Sequence, residues 1–243
     1  MVKLLRPGFS EEWLRYEAEK TRATVLAGAP APRVHGEIES EGRLGVVFDR
    51  VEGPSLLDKI EGAPHRFFHW GAEMARAHLR IIDCRSEQLP DVKVFLAAKI
   101  KGISPLSPTQ RSRLIEMLDD LPGGDHVLHG DLHPLNVFIT ETGPMVIDWL
   151  DAARGSPAAD IARSLWLVSP PAIPPDIRRR GILVWLARGL RLAYLRSMLQ
   201  GTGLSYDEVR RWRLPVLAGR LSEGIEHEKQ PLWREVNRLL ETE

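Results

Sequence analysis

The feature that most constrains the fold is the stretch 129–148, where two short apolar runs are flanked by polar residues. The runs 137–140 and 144–147 predict two β-strands, because a glycine-containing loop of three residues separates them. We therefore expect a β-hairpin. Counting outward from this loop places Asn136 opposite Asp148, so their side chains would meet at the open end of the hairpin.

Asp131 lies five residues before Asn136, on the segment that leads into the hairpin. Directly opposed side chains have Cβ atoms roughly 5 Å apart, so Asn136 and Asp148 could share one cation. The carboxylate of Asp131 can lean over the same point. Because carboxylate and amide oxygens are ligands that Mg²⁺ prefers, the three residues predict a magnesium site.

The composition limits the classes of protein to which the chain can belong. With 243 residues, of which 43% are hydrophobic, it can bury a substantial core. The 33 acidic and 33 basic residues balance, so there is no cationic field for nucleic-acid binding. No apolar run approaches the roughly 20 residues that span a bilayer, and the N-terminus lacks the apolar segment of a signal peptide. We expect a globular, cytoplasmic protein that binds neither nucleic acid nor membrane.

The N-terminal segment predicts a strand followed by a helix. Lys3 lies in a short apolar run that predicts the end of a strand. Ser10, with two glutamates after it, is typical of a helix start, and the helix is expected over 11–28. Glu17 lies at the edge of the apolar face of this helix and points toward the protein. Its carboxylate could extend to water, unless a cation such as Lys3 lies beside it.

The next elements separate two parts of the chain. The segments 34–38 and 44–51 predict an antiparallel pair of strands. Beyond Gly53 the pattern is mostly helical. We therefore expect a domain boundary there, which divides the chain into an N-terminal lobe, 1–53, and a larger C-terminal lobe, 54–243.

Two chemistries could use the central stretch. In the first, His129, Asp131 and His133 are alternate residues of one strand and bind zinc, as in a zinc-dependent hydrolase. Pro134 counts against an uninterrupted strand, because proline cannot donate a ladder hydrogen bond.

The second chemistry is phosphoryl transfer, which needs a carboxylate to accept the proton of the attacking hydroxyl group. It also needs an asparagine and an aspartate that hold Mg²⁺ on the nucleotide phosphates. Protein kinases present these residues as His-x-Asp, an asparagine five residues later, and an aspartate after a hairpin. Asp131, Asn136 and Asp148 have this order and spacing.

Three motifs resemble a known family of enzymes. They are H-G-D-L-H-P-L-N at 129–136, I-D-W at 147–149 and D-I-A at 160–162. Together they resemble the aminoglycoside phosphotransferase and choline kinase-like family of small-molecule kinases. The resemblance implies that Asp131 is the catalytic base, or the carboxylate that orients the hydroxyl group. It also implies that His129 braces the catalytic loop.

The same resemblance implies that Asn136 and Asp148 bind Mg²⁺, and that Asp160 supports the catalytic loop from the following helix. Farther upstream, Lys3 resembles the phosphate-binding lysine, and Glu17 resembles its ion-pair partner on a helix. The segment 45–53 resembles the approach to the hinge at which the adenine of ATP binds. The residues implied there are Phe48, Asp49 and Val51.

The resemblance further implies an α+β fold of the protein-kinase type with two lobes. The C-terminal lobe would be mainly helical and carry the catalytic hairpin. Family members normally have two further strands before the lysine, which enclose a loop over the nucleotide phosphates. No residues that could form them precede Met1 in the sequence. We therefore expect a truncated N-terminal lobe.

These features leave two hypotheses about function. The first is a Mg²⁺-dependent kinase that moves the γ-phosphate of ATP to a hydroxyl group of an aminoglycoside-, choline- or metabolite-like small molecule. The second is a nucleotide-binding, pseudokinase-like protein with little activity, because the loop over the phosphates is absent. The sequence does not identify the acceptor. The three acids within 223–228 could hold a cationic substrate or form a solvated helix end.

Overall fold

The structure is a computed structural model that describes residues 1–6, 8, 10–177 and 180–242. Its N-terminal part is a three-stranded antiparallel sheet packed against one helix. The elements are β1 (Val2–Leu4), α1 (Glu11–Leu26), β2 (Val34–Ser40) and β3 (Arg43–Phe48), with β3 in the centre of the sheet.

A small core joins this sheet to the helix. Leu44, Val46 and Phe48 are alternate residues of β3 and therefore lie on one face of the sheet. They pack against Leu14 and Ala18 of α1. The predicted helix and the predicted antiparallel pair are confirmed, although β3 ends before the predicted limit of the second strand.

The rest of the chain is mostly helical and surrounds one large core, in which Trp149, Tyr194 and Trp212 are fully buried. The helices are α2 (Leu56–Gly62), α3 (Phe67–Ile82), α4 (Val92–Lys101), α5 (Pro108–Asp119), α6 (Pro157–Leu167), α7 (Arg180–Thr202), α8 (Tyr206–Leu221) and α9 (Glu226–Thr242). Short 3₁₀ turns lie at Pro64–Arg66 and Pro170–Ala172. Among the described residues, no helix has the length and apolar character needed to cross a bilayer.

Four short strands frame the polar stretch on which the sequence analysis centres. They are β4 (His126–Leu128), β5 (Val137–Thr140), β6 (Gly143–Val146) and β7 (Ala153–Gly155). β5 and β6 form the predicted hairpin, which is confirmed. β4 and β7 pair with each other in antiparallel orientation and were not predicted, because three-residue strands carry almost no periodic signal.

The register of the hairpin differs from the prediction by one residue. Thr140 pairs with Gly143, whose φ of 118° lets the second strand begin directly after a two-residue loop. As a result, the backbone N–H of Ile147 donates to the carbonyl of Asn136. The predicted opposition of Asn136 and Asp148 is therefore wrong, and Asp148 lies one residue beyond the pairing position.

Candidate active site

The central loop, residues 129–136, connects β4 to β5 and contains no strand. The zinc hypothesis required one continuous strand through His129, Asp131 and His133, so its structural premise is wrong. Within the described part of the chain, no three His, Cys, Asp or Glu side chains are grouped so that they could hold a metal ion.

The carboxylate of Asp160, on α6, anchors the central loop. This carboxylate accepts hydrogen bonds from the backbone N–H groups of His129 (2.6 Å) and Gly130 (2.9 Å). Gly130 has a φ of 79°, and a Cβ there would lie 2.5 Å from the carbonyl oxygen of Asp151. Only glycine fits this position, because both the backbone conformation and the space exclude a side chain.

Asp160 is itself held by a buried chain of polar side chains. Nε2 of His78 on α3 lies 2.9 Å from the Asp160 carboxylate, and Nδ1 of the same ring lies 2.7 Å from the hydroxyl of Tyr194 on α7. Burial would raise the pKa of Asp160, but the imidazoles of His78 and His129 and the backbone hydrogen bond outweigh it and lower the pKa. The loop thus rests on an ionised carboxylate that three helices hold in place.

His129 links the central loop to the hairpin. Its Nδ1 accepts a hydrogen bond from the backbone N–H of Asp131 (3.1 Å), so the ring hydrogen is on Nε2, which donates to the carbonyl of Ile147 (3.0 Å). The ring is fully buried, and this burial lowers the pKa of His129. A neutral imidazole with both nitrogens bonded to backbone positions the loop and has no free site for proton transfer.

The carboxylate of Asp131 lies beside one imidazole and two guanidinium groups and remains 26% exposed. The distances are 3.6 Å to Nε2 of His133, 3.7 Å to Nη2 of Arg163 and 3.8 Å to Nη1 of Arg220. Burial would raise the pKa of Asp131, but the contact with His133 and the charges of the two guanidinium groups outweigh it and hold the pKa well below its ordinary value. Asp131 is therefore an ionised carboxylate that solvent can reach.

Arg163 and Arg220 are the residues that the sequence analysis did not single out. Arg163, on α6, donates from Nε to the carbonyl of Gly130 (2.9 Å) and from Nη2 to Glu223 (2.8 Å). Arg220, on α8, binds Glu223 and donates from Nε to the carboxylate of Glu228 (3.0 Å). Arg163 directly follows the D-I-A motif, which is the one local signal that could have found it. Nothing local marks Arg220, because it reaches Asp131 across about ninety residues of chain.

Asn136 occupies the end of the central loop with only 7% of its surface exposed. Its Nδ2 donates to the carbonyl oxygen of Asp131 (3.0 Å), which leaves the side-chain amide oxygen available as a ligand. Asp148, just beyond β6, has a φ of 66° and a carboxylate that is 47% exposed. A partly exposed carboxylate and an amide oxygen suit a hard cation such as Mg²⁺, so these two residues fit the magnesium that the sequence predicts.

Lys3 and Glu17 lie at the same end of the hairpin. Nζ of Lys3 is 2.6 Å from Oε1 of Glu17 and 3.5 Å from Oδ1 of Asp148. Glu17 is 6% exposed, and its burial raises the pKa of the carboxyl group, although Lys3 opposes this effect. The contact between the two side chains, which the sequence analysis anticipated, is present. The contact between Lys3 and Asp148 connects the N-terminal sheet to the end of the hairpin.

The three predicted adenine-binding residues lie at the end of β3 and just after it. Phe48 packs in the small core, and the backbone N–H of Asp49 donates to the carbonyl of Arg33 (2.9 Å). The carboxylate of Asp49 lies 2.6 Å from Nε2 of His35 and is therefore occupied. Among the described residues, none hydrogen-bonds to the carbonyl of Asp49 or to the backbone of Val51.

Comparisons with known structures identify the fold. The chain is similar to a type VIII aminoglycoside-3'-phosphotransferase, with 20% identity, a TM-score of 0.59, and coverage of 90% of this chain and 84% of that one. It is also similar to an amicoumacin kinase in complex with AMP-PNP, Ca²⁺ and Ami, with 14% identity, a TM-score of 0.57, and coverage of 99% and 81%. A choline/ethanolamine kinase family protein from Mesorhizobium loti has 14% identity, a TM-score of 0.55, and coverage of 99% and 82%.

These similarities confirm the predicted α+β fold of the protein-kinase type. No curated protein matches the sequence significantly. In contrast, residues 2–195 match the model of a family described as the phosphotransferase enzyme family. That match covers the N-terminal sheet, the central loop, the hairpin and α6, whereas Arg220, Glu223 and Glu228 lie beyond it. The chain belongs to the phosphotransferase enzyme family.

Proposed function

We propose that the chain is a Mg²⁺-dependent phosphotransferase that moves the γ-phosphate of ATP to a hydroxyl group of a small molecule. The observation that carries the proposal is the ionised Asp131 carboxylate, which is exposed beside Asn136 on a loop anchored by Asp160. In this proposal, residues 1–53 form the nucleotide-binding lobe, and residues 54–243 form the catalytic and substrate-binding lobe.

Asp131 binds and orients the attacking hydroxyl group. As the bond between the acceptor oxygen and the γ-phosphorus forms, the bond from that phosphorus to the bridging oxygen breaks, and ADP leaves. The hydroxyl proton passes to Asp131 and then to solvent. Because the pKa of Asp131 is low, it is a weak base, and its main contribution is orientation. This suits a loose transition state, in which the hydroxyl group loses its proton late.

Asn136 and Asp148 would hold the magnesium ion, which when bound neutralises charge on the nucleotide phosphates. Lys3 supplies a cation at the same place, and Glu17 keeps its side chain extended toward Asp148. The AMP-PNP and Ca²⁺ bound by the amicoumacin kinase, which has the same fold, support a nucleotide and a divalent ion as ligands.

The adenine would lie against the segment that follows β3. The carbonyl of Asp49 and the backbone N–H of Val51 supply an acceptor and a donor that no described residue uses. Phe48 packs in the small core and would form the wall behind these two backbone groups. The side chain of Asp49 plays no part, because His35 already binds it.

The test is phosphate transfer from [γ-³²P]ATP to a panel of small alcohols, with Mg²⁺ and with EDTA. We expect EDTA to abolish transfer. Asp131→Asn should lower kcat by roughly 10² to 10⁴ and leave intact the thermal shift that ATP with Mg²⁺ produces. Asp120→Asn, at an exposed position after α5, is the matched control and should behave as wild type.

Two outcomes would contradict the proposal. Unchanged turnover in Asp131→Asn would remove the role of this carboxylate. A thermal shift with ATP and Mg²⁺, but no transfer to any acceptor, would instead indicate a nucleotide-binding protein with little activity.

A further inference from the structure

A cavity of about 440 Å³ opens beside the carboxylate of Asp131. It lies between α2, the central loop, the end of α6 and the first half of α7. Its volume falls in the range of small-molecule pockets. Asp131, His133 and Leu135 of the central loop all line it. A molecule whose hydroxyl group contacts Asp131 would therefore place its body in this cavity.

Most of the cavity wall is apolar. Fifteen of the 22 described lining residues are aliphatic residues or prolines. Leu183, Leu186 and Leu190 form a stripe on one face of α7, and Leu57 contributes from α2. Leu135 stays 45% exposed although it is large and apolar. Leu135 therefore presents apolar surface to the cavity beside Asp131, and an apolar ligand would cover it.

The carboxylates at the polar end of the cavity are already neutralised. Glu223 lies 2.8 Å from Nη2 of Arg163 and 3.0 Å from Nζ of Lys99, and it also binds Arg220. Burial would raise the pKa of Glu223, but the charges of Arg163, Arg220 and Lys99 outweigh it and lower the pKa. Glu223 is thus ionised, yet it is fully paired.

Glu228 is paired in the same way, and Asp151 lies beside Lys99 and Arg163 at longer distances. Glu228 is 2% exposed and accepts hydrogen bonds from Nε of Arg220 (3.0 Å) and Nε1 of Trp166 (2.6 Å). Asp151 lies 3.5 Å from Nζ of Lys99. The acids within 223–228, which the sequence analysis considered for a cationic substrate, therefore include two that hold arginines. Glu226, which is 90% exposed, does not line the cavity.

We propose that the acceptor is an alcohol with a predominantly apolar body and at most one positive charge, and that it is not a polycation. The inference rests on the proposed phosphotransferase function. The hydroxyl oxygen bonds to the γ-phosphorus, ADP leaves, and the proton passes to Asp131, while the body packs against Leu57, Leu135 and the α7 stripe. A polyamine would lose hydration in this cavity without gaining an unpaired carboxylate, which is unfavourable.

A second cavity, of about 1020 Å³, offers a different surface. It is lined by Trp13, Tyr16 and Glu19 of α1 and meets the first cavity at Asp151 and Glu223. Exposed aromatic rings with acids are a surface that suits cations. Asp131 does not line this second cavity. The hydroxyl group that reacts would therefore not lie there.

The test measures binding of 1-butanol, 1-hexanol and 1-octanol, with kanamycin as the polycation and choline as the single cation. Ligand-observed NMR without ATP gives dissociation constants that do not depend on catalysis. We expect affinity to rise about fourfold for each added methylene group, and no saturable binding of kanamycin. Affinity that does not change with chain length, or kanamycin that binds more tightly than 1-octanol, would overturn the inference.

Variants locate the binding site. Leu135→Asn should weaken 1-octanol binding by roughly fivefold to tenfold, because it replaces the exposed apolar wall. Leu26→Asn changes a leucine that is 75% exposed at the end of α1 and does not line the cavity, so it should have no effect. Equal 1-octanol affinity in the two variants would overturn the assignment to this cavity.

The failure of this inference can be separated from failure of the proposed function. Binding that depends on chain length, with no transfer from ATP to any alcohol, counts against the phosphotransferase proposal alone. Transfer to a hydrophilic or polycationic acceptor, with no dependence on chain length, supports phosphotransferase activity and contradicts only the apolar acceptor.

Discussion

Nη2 of Arg163 lies 3.7 Å from the carboxylate of Asp131, while Nε of the same guanidinium donates to the carbonyl of Gly130 at 2.9 Å. The arginine therefore contacts both the carboxylate that we propose to orient the substrate and the backbone of the residue before it. The same Nη2 donates to both carboxylate oxygens of Glu223, which holds the guanidinium group in place. Arg163 is thus a positioning residue that acts through Asp131.

Arg163→Gln should lower kcat about 10-fold to 100-fold and change the KM for ATP little, because the charge beside Asp131 is lost and the nucleotide contacts remain. Arg163 helps to lower the pKa of Asp131, so its loss raises that pKa. The acidic limb of the kcat profile, which lies below about pH 4 because the pKa of Asp131 is low, should then move to higher pH. Steady-state kinetics at pH 7 measure the change in kcat and KM, and assays from about pH 3 to pH 6 follow the acidic limb.

Arg188→Gln is the control for this prediction, because Arg188 is exposed on α7 and does not contact Asp131. Equal kcat at pH 7 in Arg163→Gln and wild type would contradict a positioning role for the arginine.

Lys3→Met should raise the KM for ATP, with a decrease of about tenfold in kcat/KM, because the cation beside Asp148 is removed. Glu17→Gln should have a smaller effect in the same direction, since Lys3 keeps its charge but loses the carboxylate that holds it. If the pair acts as a unit, the double variant should be no worse than Lys3→Met alone. Lys101→Met, at an exposed position on α4, is the control.

Gly130→Ala should destabilise the fold by roughly 2 to 4 kcal/mol, because it combines a left-handed backbone with a close contact to the Asp151 carbonyl. Gly123→Ala is a matched control in a nearby loop, where a Cβ meets nothing within 4 Å and φ is not in the left-handed region. Urea unfolding of both variants measures the difference. Equal free energies of unfolding would contradict the geometry of the central loop.

The burial of Lys20 predicts that the stability of the fold depends on pH in the alkaline range. Lys20 is 3% exposed, and its ammonium group donates to the carbonyl of Leu150 (2.8 Å) and lies over the rings of Tyr16 and Phe95. Burial, with a smaller opposing effect from Asp151, lowers the pKa of Lys20 to about 8.

Because the unfolded chain keeps this lysine protonated up to roughly pH 10.4, it binds more protons than the folded chain above pH 8. The Lys20 contribution to the free energy of unfolding should therefore rise between about pH 8 and pH 10, by at most about 3 kcal/mol. The measurement is urea unfolding of wild type and Lys20→Met at pH 7, 8.5 and 10. The free energy of unfolding of wild type should rise relative to that of Lys20→Met as pH rises. A difference that stays constant would contradict the prediction.

Local patterns in the sequence were sufficient to predict the helices, the hairpin and the order of Asp131, Asn136 and Asp148. Helix caps and apolar periodicity act over a few residues, so they can be read without knowing the fold. Local patterns failed where one residue decides the geometry. Gly143 shortened the hairpin loop and shifted the register by one position, so that Asp148 lies beyond the pairing that the sequence analysis expected.

Only the tertiary structure decided the electrostatics of the candidate site. Arg220 and Glu223 lie far along the chain from Asp131, and Lys99 lies on a separate helix, yet all belong to one ion-pair network. Whether an acid is free to bind a cation depends on such contacts, which sequence spacing does not encode. By itself, the sequence predicted which groups would carry the chemistry. The packing of α6, α7 and α8 determined which of these groups are charged, which are paired, and which wall of the cavity is apolar.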